Sequence, residues 1–207
     1  MRNPAKERAS LVARHDFDSL STISAIEVRP ARYSELSTVT EMGRRLVPGV
    51  QITEPVLRKY LTFDPECLLT FYRQQRLLGA IAFLYLNIRG HDALMSGEIS
   101  LTQPDIGLLA GNNDAVSAIY IWAIASTGRG IAGLGKAAAH LRGQRYVDAD
   151  CFAQPSTMAG RDILMATGFK PIPSSQPDLW CYQRPWKRLP SNASIVTSPR
   201  SLADARQ

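Results

Sequence analysis

The sequence VSAIYIWAIASTGRGIAGLGKAAAHLR, residues 116–142, decides the fold of this chain. Residues 116–125 form a continuous run of apolar, β-branched and aromatic side chains, which is typical of a buried strand. The run KAAAHLR predicts a helix that stops at Gly143. Between them lies a loop of small residues, STGRGIAGLG (126–135). The stretch therefore predicts a strand, a glycine-rich loop and a helix in succession.

A glycine-rich loop between a strand and a helix is suited to bind an anion. Glycine lets the backbone approach a ligand closely, consecutive N–H groups point into the loop, and the helix N-terminus adds partial positive charge. We therefore expect a pyrophosphate group to bind at residues 126–135. The alternative is a tight turn that only packs the helix against the strand.

The loop matches the dinucleotide-binding pattern G-x-G-x-x-G. Gly128, Gly130 and Gly133 occupy the three glycine positions, and Asp148 or Asp150 would be the ribose-binding acid. That pattern normally opens a long series of parallel βα units. Here only one more βα unit and a terminal hairpin are predicted to follow, which weighs against this interpretation.

The loop also matches most of the P-loop pattern G-x-x-x-x-G-K-[ST]. Gly130, Gly135 and Lys136 fit, but Ala137 replaces the hydroxyl residue that would hold magnesium. The same argument from topology applies, because P-loop folds also continue with parallel βα units.

The other predicted elements describe a mixed sheet. Strands are predicted at 26–31, 67–73, 76–86, 146–152, 168–173 and 179–184, and helices at 33–47, 54–62 and 155–167. In the helix at 155–167, Met158 is expected to face inward. The early hairpin and the later β-α-β crossovers predict an α/β (or α+β) fold, with a mixed, mostly antiparallel sheet of about seven strands flanked by helices. Residues 87–115 resemble a long polar connection, and such connections are often functional.

Most of the net positive charge lies in the C-terminal tail. The formal net charge is +6, yet residues 26–183 carry 15 basic and 14 acidic side chains. Residues 184–207 carry five basic and one acidic. We therefore expect a polar extension at 1–25, a folded domain at 26–184 and a disordered basic tail at 185–207. A nearly neutral domain also argues against nucleic acid as a partner.

Composition fits a soluble, cytoplasmic protein. Hydrophobic residues make up 45% and charged residues 20% of the chain, and no apolar run approaches the length of a membrane-spanning helix. The N-terminus is charged and has no apolar core of a secretory signal. The three cysteines, Cys67, Cys151 and Cys181, form no C-x-x-C pair. We therefore expect no disulfide framework, no metal site and no membrane association.

The predicted order of elements from 26 to 184 resembles that of the GNAT superfamily of N-acetyltransferases, βααβββαβαββ. The family's pyrophosphate motif is [QR]-x-x-G-x-[GA]. Gly130 and Ala132 match this motif, whereas Thr127 stands at its first position. The resemblance covers about three quarters of the chain and implies a GNAT-like acyl-CoA acyltransferase fold.

A second family pattern, Tyr-x-x-x-Gly-Phe at the end of the last helix, is present in part. Gly168 and Phe169 match, but Leu164 stands at the tyrosine position. This substitution removes the residue that commonly protonates the departing thiolate in the family.

The resemblance implies acetyl-CoA or another acyl-CoA as co-substrate, and no metal. The strand before the loop would diverge from its neighbour and bind the pantetheine arm, and the loop would bind the pyrophosphate. The coenzyme-binding residues implied are Trp122, Ala123, Ile124, Ala125, Thr127, Gly128, Arg129, Gly130, Ile131, Ala132 and Gly133.

In the family's usual scheme an amine attacks the thioester directly, a base removes the amine proton and an acid protonates the thiolate. Tyr120, on the central strand, and Glu98, in the 87–115 connection, are the candidate catalytic residues. His91 shares that connection and Cys151 ends a strand, but an exposed His and an inert buried thiol are the competing interpretations.

The acceptor that the resemblance implies is a primary amine on a small molecule or a protein. Trp180 and Tyr182 share a face of the last strand, where they would line the acceptor cleft, contact a second copy in a homodimer, or pack in the core. Two other functions stay open. One is an inactive acyl-CoA-binding regulatory module, and the other is a dinucleotide-binding enzyme.

Overall fold

The structure is a computed structural model that describes residues 26–49 and 52–184. The extension expected at 1–25 and the tail expected at 185–207 lie outside the described residues. A mixed sheet of seven strands, flanked by helices, forms the centre of the described part. The fold class predicted from the sequence is therefore confirmed.

The elements are numbered here in chain order. The strands are β1 (Glu27–Pro30), β2 (Leu68–Arg73), β3 (Arg76–Leu86), β4 (Ala118–Ser126), β5 (Asp150–Ala153), β6 (Lys170–Pro171) and β7 (Trp180–Tyr182). The helices are α1 (Leu36–Leu46), α2 (Glu54–Phe63), α3 (Ile88–Ser96), α4 (Gly133–His140) and α5 (Met158–Ala166). Short 3-10 segments occupy Tyr33–Glu35, Pro65–Cys67, Ile106–Leu108 and Gly128–Ala132. Within the described residues, no helix has the length and apolar character needed to cross a bilayer.

The strands lie in the order β1-β2-β3-β4-β5-β7-β6. Every neighbouring pair is antiparallel except β4 and β5, which are parallel. A parallel pair needs a crossover connection, and α4 supplies it. β4 is central and buried, as its apolar sequence predicts, with Ile119 fully enclosed.

Helices cover both faces of the sheet. Ala125 of β4 packs against Met42 of α1. Ile124, the preceding residue, points to the opposite face because side chains alternate along a strand. On that face it lines an apolar cavity with Leu134 and Ala137 of α4. The core is therefore two apolar layers, one on each side of β3 and β4.

Residues 87–115 contain a helix that the sequence interpretation missed. Asn87 caps α3 at its start, where its Oδ1 accepts a 2.9 Å hydrogen bond from the Gly90 N–H. Gly97 ends α3 with a φ of 75°, which favours glycine. The helix is short and only part of one face is apolar, so these caps are the clearer signals in its sequence.

The strand predicted at 146–152 is shorter and begins later. Tyr146 lies in a turn, because its ring packs against that of Tyr85 with centroids 4.7 Å apart and its hydroxyl donates to Glu66. The helix predicted from Pro155 begins instead at Met158, where Thr157 forms the cap. Met158, expected to face inward, is 72% exposed.

Candidate functional site

The parallel strands β4 and β5 separate partway along β4. They pair over four residues, from Ala118 opposite Asp150 to Ile121 opposite Ala153. β5 ends there, whereas β4 continues to Ser126. Among the described residues, the β4 edge beyond Ile121 therefore has no strand partner on the β5 side. Backbone groups at such an edge need other hydrogen-bonding partners, and a ligand can supply them.

An irregularity in β4 occurs at the same point. Ala82 of β3 lies opposite Ala123, and Phe83 lies opposite Ile121, so Trp122 is an extra residue in β4. A β-bulge of this kind bends a strand and increases its twist. The bulge thus coincides with the divergence of β4 from β5.

The opening between β4 and α5 leads into a cavity of about 450 Å³. The residues that line it lie in five parts of the chain: 46–49 and 52 at the end of α1 and after it, 101 and 102, 120–124 and 126 of β4, 131, and 153–157, 159, 160, 163 and 164 from the end of β5 to α5. This volume lies within the range of small-molecule sites in proteins, roughly 300–1,000 Å³.

The structure brings part of the predicted coenzyme-binding set to this cavity. Trp122, Ala123, Ile124 and Ile131 line it directly. Ala125 is turned away and packs against α1. The remaining predicted residues belong to the loop that carries Ile131, and they are Thr127, Gly128, Arg129, Gly130, Ala132 and Gly133.

The start of the glycine loop is open to solvent. Gly128 adopts a φ of 52°, in the left-handed region that glycine tolerates best. No heavy atom outside the adjacent residues lies within 4 Å of where a Gly128 Cβ would stand. Arg129 is exposed next to it. This part of the loop has room for a ligand and carries a cation.

Gly130 and Gly133 allow the loop to pack closely, both internally and against the sheet. A Cβ on Gly130 would lie 2.6 Å from Ser126 Oγ, and one on Gly133 would lie 2.6 Å from the Phe71 ring. The Gly130 N–H donates to the Thr127 carbonyl at 3.0 Å, and the Gly133 N–H donates to carbonyls inside the loop. Their backbone amides are therefore engaged.

Tyr120 reaches across the point where the two strands separate. Its side chain is buried and lines the cavity, and its hydroxyl donates a 2.8 Å hydrogen bond to Gln154 Oε1. Gln154 is held in turn, because it donates to the Pro177 carbonyl and accepts from Gln176 Nε2 at 3.2 Å. Burial raises the pKa of Tyr120 well above its ordinary value, so the phenol stays protonated.

Glu98 and His91 are not brought to the cavity. Glu98 follows α3, is exposed, and is not one of the residues that line the cavity. His91 lies on α3 with its ring 5.4 Å from that of Phe152, and it also lies outside the lining. The candidate base from the 87–115 connection therefore stands apart from Tyr120.

Cys151 is buried on β5 and lines a smaller, mainly apolar cavity of about 210 Å³ between α4 and α5. Burial is the main cause that raises the pKa of its thiol to about 11. A thiol with this pKa is a poor nucleophile at neutral pH. This agrees with the interpretation of Cys151 as an inert core residue.

Leu164 and Gln154 complete the α5 side of the cavity. Leu164 is buried and apolar where the family pattern has tyrosine. Gln154 was missed in the sequence interpretation, although a polar residue directly after a parallel strand is a common ligand position. Ser126 belongs to the predicted loop but its side chain was not singled out, and its buried Oγ has no hydrogen-bond partner among the described residues.

The described residues also bear on the expected absence of a metal site and on the role of Trp180. They contain no group of three or more His, Cys, Asp or Glu side chains placed to hold a metal ion. Trp180 is buried in a core cluster with Ala153 and Leu164, so core packing is the role the structure supports for it.

No model of a known protein family matches the chain, and no curated protein matches it in sequence. Solved structures do match it. The loading GNATL domain of CurA from Lyngbya majuscula has a TM-score of 0.57 at 13% identity, covering 77% of this chain and 98% of that domain. The chain has the GNAT fold. A GNAT-family acetyltransferase from Streptococcus agalactiae has a TM-score of 0.51 at 12% identity, covering 76% of this chain and 93% of the other.

The GNAT fold expected from the order of elements is thus confirmed by structure. At these identities the likeness concerns the fold alone, and function has to be argued from the site. In this GNAT fold the divergence of β4 from β5, the cavity beside it and the glycine loop all lie together.

Proposed function

We propose that the chain is an acyl-CoA-dependent N-acyltransferase, with acetyl-CoA or another acyl-CoA as donor and a primary amine as acceptor. The observation that carries this proposal is the divergence of β4 from β5 beyond Ile121 and Ala153, directly beside the glycine loop. An open strand edge next to an anion-binding loop suits a ligand with an amide-rich arm and a diphosphate.

The pantetheine arm would lie along the open edge of β4. Backbone groups between Trp122 and Ser126 would exchange hydrogen bonds with its amides, as a neighbouring strand otherwise would. The diphosphate would lie at the start of the loop, at the amides of Gly128 and Arg129, because those of Gly130 and Gly133 are engaged within the loop. The exposed Arg129 guanidinium would add positive charge there.

The reaction would proceed by direct attack. The amine nitrogen bonds to the thioester carbonyl carbon, the carbon–sulfur bond breaks, and an amine proton ends on the coenzyme sulfur. A free thiol has a pKa of about 8.5, so the thiolate is a good leaving group near neutral pH. Tyr120 lines the cavity and keeps its proton, and we propose that its hydroxyl exchanges the hydrogen bond to Gln154 for one to the sulfur. Leu164 cannot fill that role.

A panel of ligands in a thermal-shift experiment tests the coenzyme. Coenzyme A, acetyl-CoA, longer acyl-CoAs, NADPH and ATP would be compared at equal concentration. A ligand present at 100 times its Kd stabilises the folded state by about 2.7 kcal/mol, which raises Tm by several degrees. We expect this shift with the CoA ligands. A shift with NADPH or ATP alone would contradict the proposal and favour the dinucleotide or P-loop interpretation.

A second function, an acyl-CoA-binding module without catalysis, is favoured by two observations. The proton of Tyr120 is held by Gln154, and Leu164 replaces the family's tyrosine. Such a module would show the CoA-induced shift but release no thiol from acetyl-CoA with any amine of a broad panel. Measuring thiol release on the same samples separates the two functions.

A further inference from the structure

As far as the structure describes it, the wall of the 450 Å³ cavity carries no charged side chain. Every described side chain that lines it is uncharged, and Tyr120 is its one titratable group. The chemistry of this wall bears on the acceptor, an inference that rests on the proposed acyltransferase function.

An alkyl amine fits such a wall poorly. With a pKa of about 10.4, like that of lysine, fewer than about one molecule in a thousand is unprotonated at pH 7. Burying the ammonium form is costly unless a carboxylate pairs with it, and using it as a nucleophile requires a base. The described lining provides neither, because the buried phenol of Tyr120 keeps its proton.

The part of the wall contributed by α1 and its neighbours is apolar and partly rigid. Leu46, Ile52 and Leu101 line it together with Trp122, whose indole ring is largely buried. That indole is fixed, because its N–H donates to the Leu101 carbonyl at 2.5 Å and its ring packs edge-on against Tyr60 with centroids 5.2 Å apart. A fixed aromatic surface of this kind favours a flat, apolar partner.

We infer that the acceptor is a weakly basic aromatic amine, uncharged at neutral pH, whose ring packs against Trp122. Such an amine needs no base to free its lone pair and brings no charge into the neutral cavity. Its nitrogen bonds to the thioester carbon, the carbon–sulfur bond breaks, and one N–H proton is transferred to the thiolate. The products are an aromatic amide and free coenzyme A.

Two isomeric amines give a matched test. Para-ethylaniline and phenethylamine have the same atoms and similar apolar surfaces, but only phenethylamine is protonated at neutral pH. Coenzyme release from acetyl-CoA and the mass of the amide would be measured with each amine from about pH 6.5 to about pH 9.5. Thermal shifts with coenzyme A on the same protein report separately on coenzyme binding.

At pH 7 we expect kcat/KM for para-ethylaniline to exceed that for phenethylamine by at least about tenfold. The value for para-ethylaniline should be flat with pH. That for phenethylamine should rise about tenfold per pH unit until it nears the pKa of the free amine. Faster acylation of phenethylamine at pH 7, or a plateau well below the pKa of that amine, would overturn the inference.

Coenzyme binding and acceptor choice are tested by different measurements. If coenzyme A gives no thermal shift, the proposed function is wrong. If coenzyme A binds and another amine of the panel is acylated but neither isomer is, only the inference about the acceptor is wrong. If coenzyme A binds and no amine of the panel is acylated, the proposed transferase function is wrong as well. As a gain-of-function check, Leu101→Glu places a carboxylate in the wall and should shift preference towards phenethylamine at least about tenfold. Ile88→Glu, at an exposed position outside the lining, should leave preference unchanged.

Discussion

The Tyr120 hydroxyl donates a 2.8 Å hydrogen bond to Gln154 Oε1, across the point where β4 separates from β5. Ile121 and Ala153 are the last paired residues of the two strands, and Tyr120 and Gln154 flank that pair. The bond joins the two strands beneath the open cleft. It also holds the one titratable hydroxyl of the described cavity wall in a defined position.

Tyr120→Phe should lower kcat of acyl transfer by about 10- to 100-fold while leaving coenzyme affinity unchanged. The variant loses the hydrogen bond to the departing sulfur, and this loss is at or below the low end of the roughly 10²–10⁴-fold effect of a general acid because a thiolate leaves readily. Steady-state kinetics and coenzyme titration measure the two effects. Tyr60→Phe is the matched control, since Tyr60 is an equally buried tyrosine whose hydroxyl donates to Pro104 and does not line the cavity. An equal loss of kcat in both variants would mean that Tyr120 has only a structural role.

Gly133→Ala should destabilise the fold by about 1–3 kcal/mol, because the new Cβ would overlap the Phe71 ring where α4 packs on the sheet. Gly43→Ala provides the comparison. No heavy atom outside its own helix and neighbouring residues lies within 4 Å of a Cβ there, so the higher helix propensity of alanine should stabilise α1 by up to about 1 kcal/mol. Urea denaturation of both variants tests the contrast. Equal effects would contradict the close packing described for Gly133.

The carboxylate of Glu35 should stabilise the folded state near neutral pH and lose this effect in acid. Partial burial alone would raise its pKa, but hydrogen bonds from Arg29, from the Arg32 N–H and from the Tyr72 hydroxyl outweigh it and lower the pKa to about 2. The folded-state pKa is therefore below the unfolded value of about 4.3. The stabilisation, of order 2 kcal/mol, is fully present above that value and is lost as pH falls towards 2.

Urea denaturation between about pH 7 and pH 3 tests this prediction. Glu35→Gln should be less stable than the original chain at pH 7, and the difference should shrink as pH falls. Glu41→Gln is the control, since Glu41 pairs with Arg44 on an exposed helix surface and its loss should change little. A difference for Glu35→Gln that does not depend on pH would count against the ionic role of this residue.

The three cysteines should resist thiol reagents in the folded protein and react once it is unfolded, because all are buried. Burial, as the largest cause, raises the thiol pKa of Cys67 to about 12 and that of Cys151 to about 11. A colorimetric thiol count with and without urea measures the difference. Cys151→Ala should retain acyl transfer, and its inactivation would instead indicate a covalent acyl-enzyme route.

Local sequence patterns predicted much of the fold. The apolar run of β4, the glycine loop and the alternation of helices and strands each depend on residues close together in the chain, and the structure places them as expected. Helix α3 was missed because its apolar stripe is incomplete, although its caps at Asn87 and Gly97 are visible in the sequence. The start of β5 was misplaced because Tyr146 is buried through contacts with Glu66 and Tyr85, which are distant in sequence.

The site itself was less accessible to sequence reasoning. Glycines that look alike in sequence have different roles, because only the fold places Phe71 against Gly133 and leaves Gly128 open. The pairing of Tyr120 with Gln154 depends on where β5 ends, which no local pattern specifies. The neutrality of the cavity wall likewise follows from segments far apart in the chain, between residues 46 and 164.

The central claim is that an acyl-CoA diphosphate binds at the glycine loop beside the open edge of β4. Calorimetric titration of coenzyme A tests it most directly. The original chain would be compared with Ile131→Glu, which adds a carboxylate at a loop residue that lines the cavity and is 41% exposed. Ile88→Glu, at a 62% exposed residue on α3, serves as control. We predict that affinity falls by at least about tenfold in Ile131→Glu, through charge repulsion, and is unchanged in Ile88→Glu. Equal affinity in all three proteins, or no binding to the original chain, would contradict the claim.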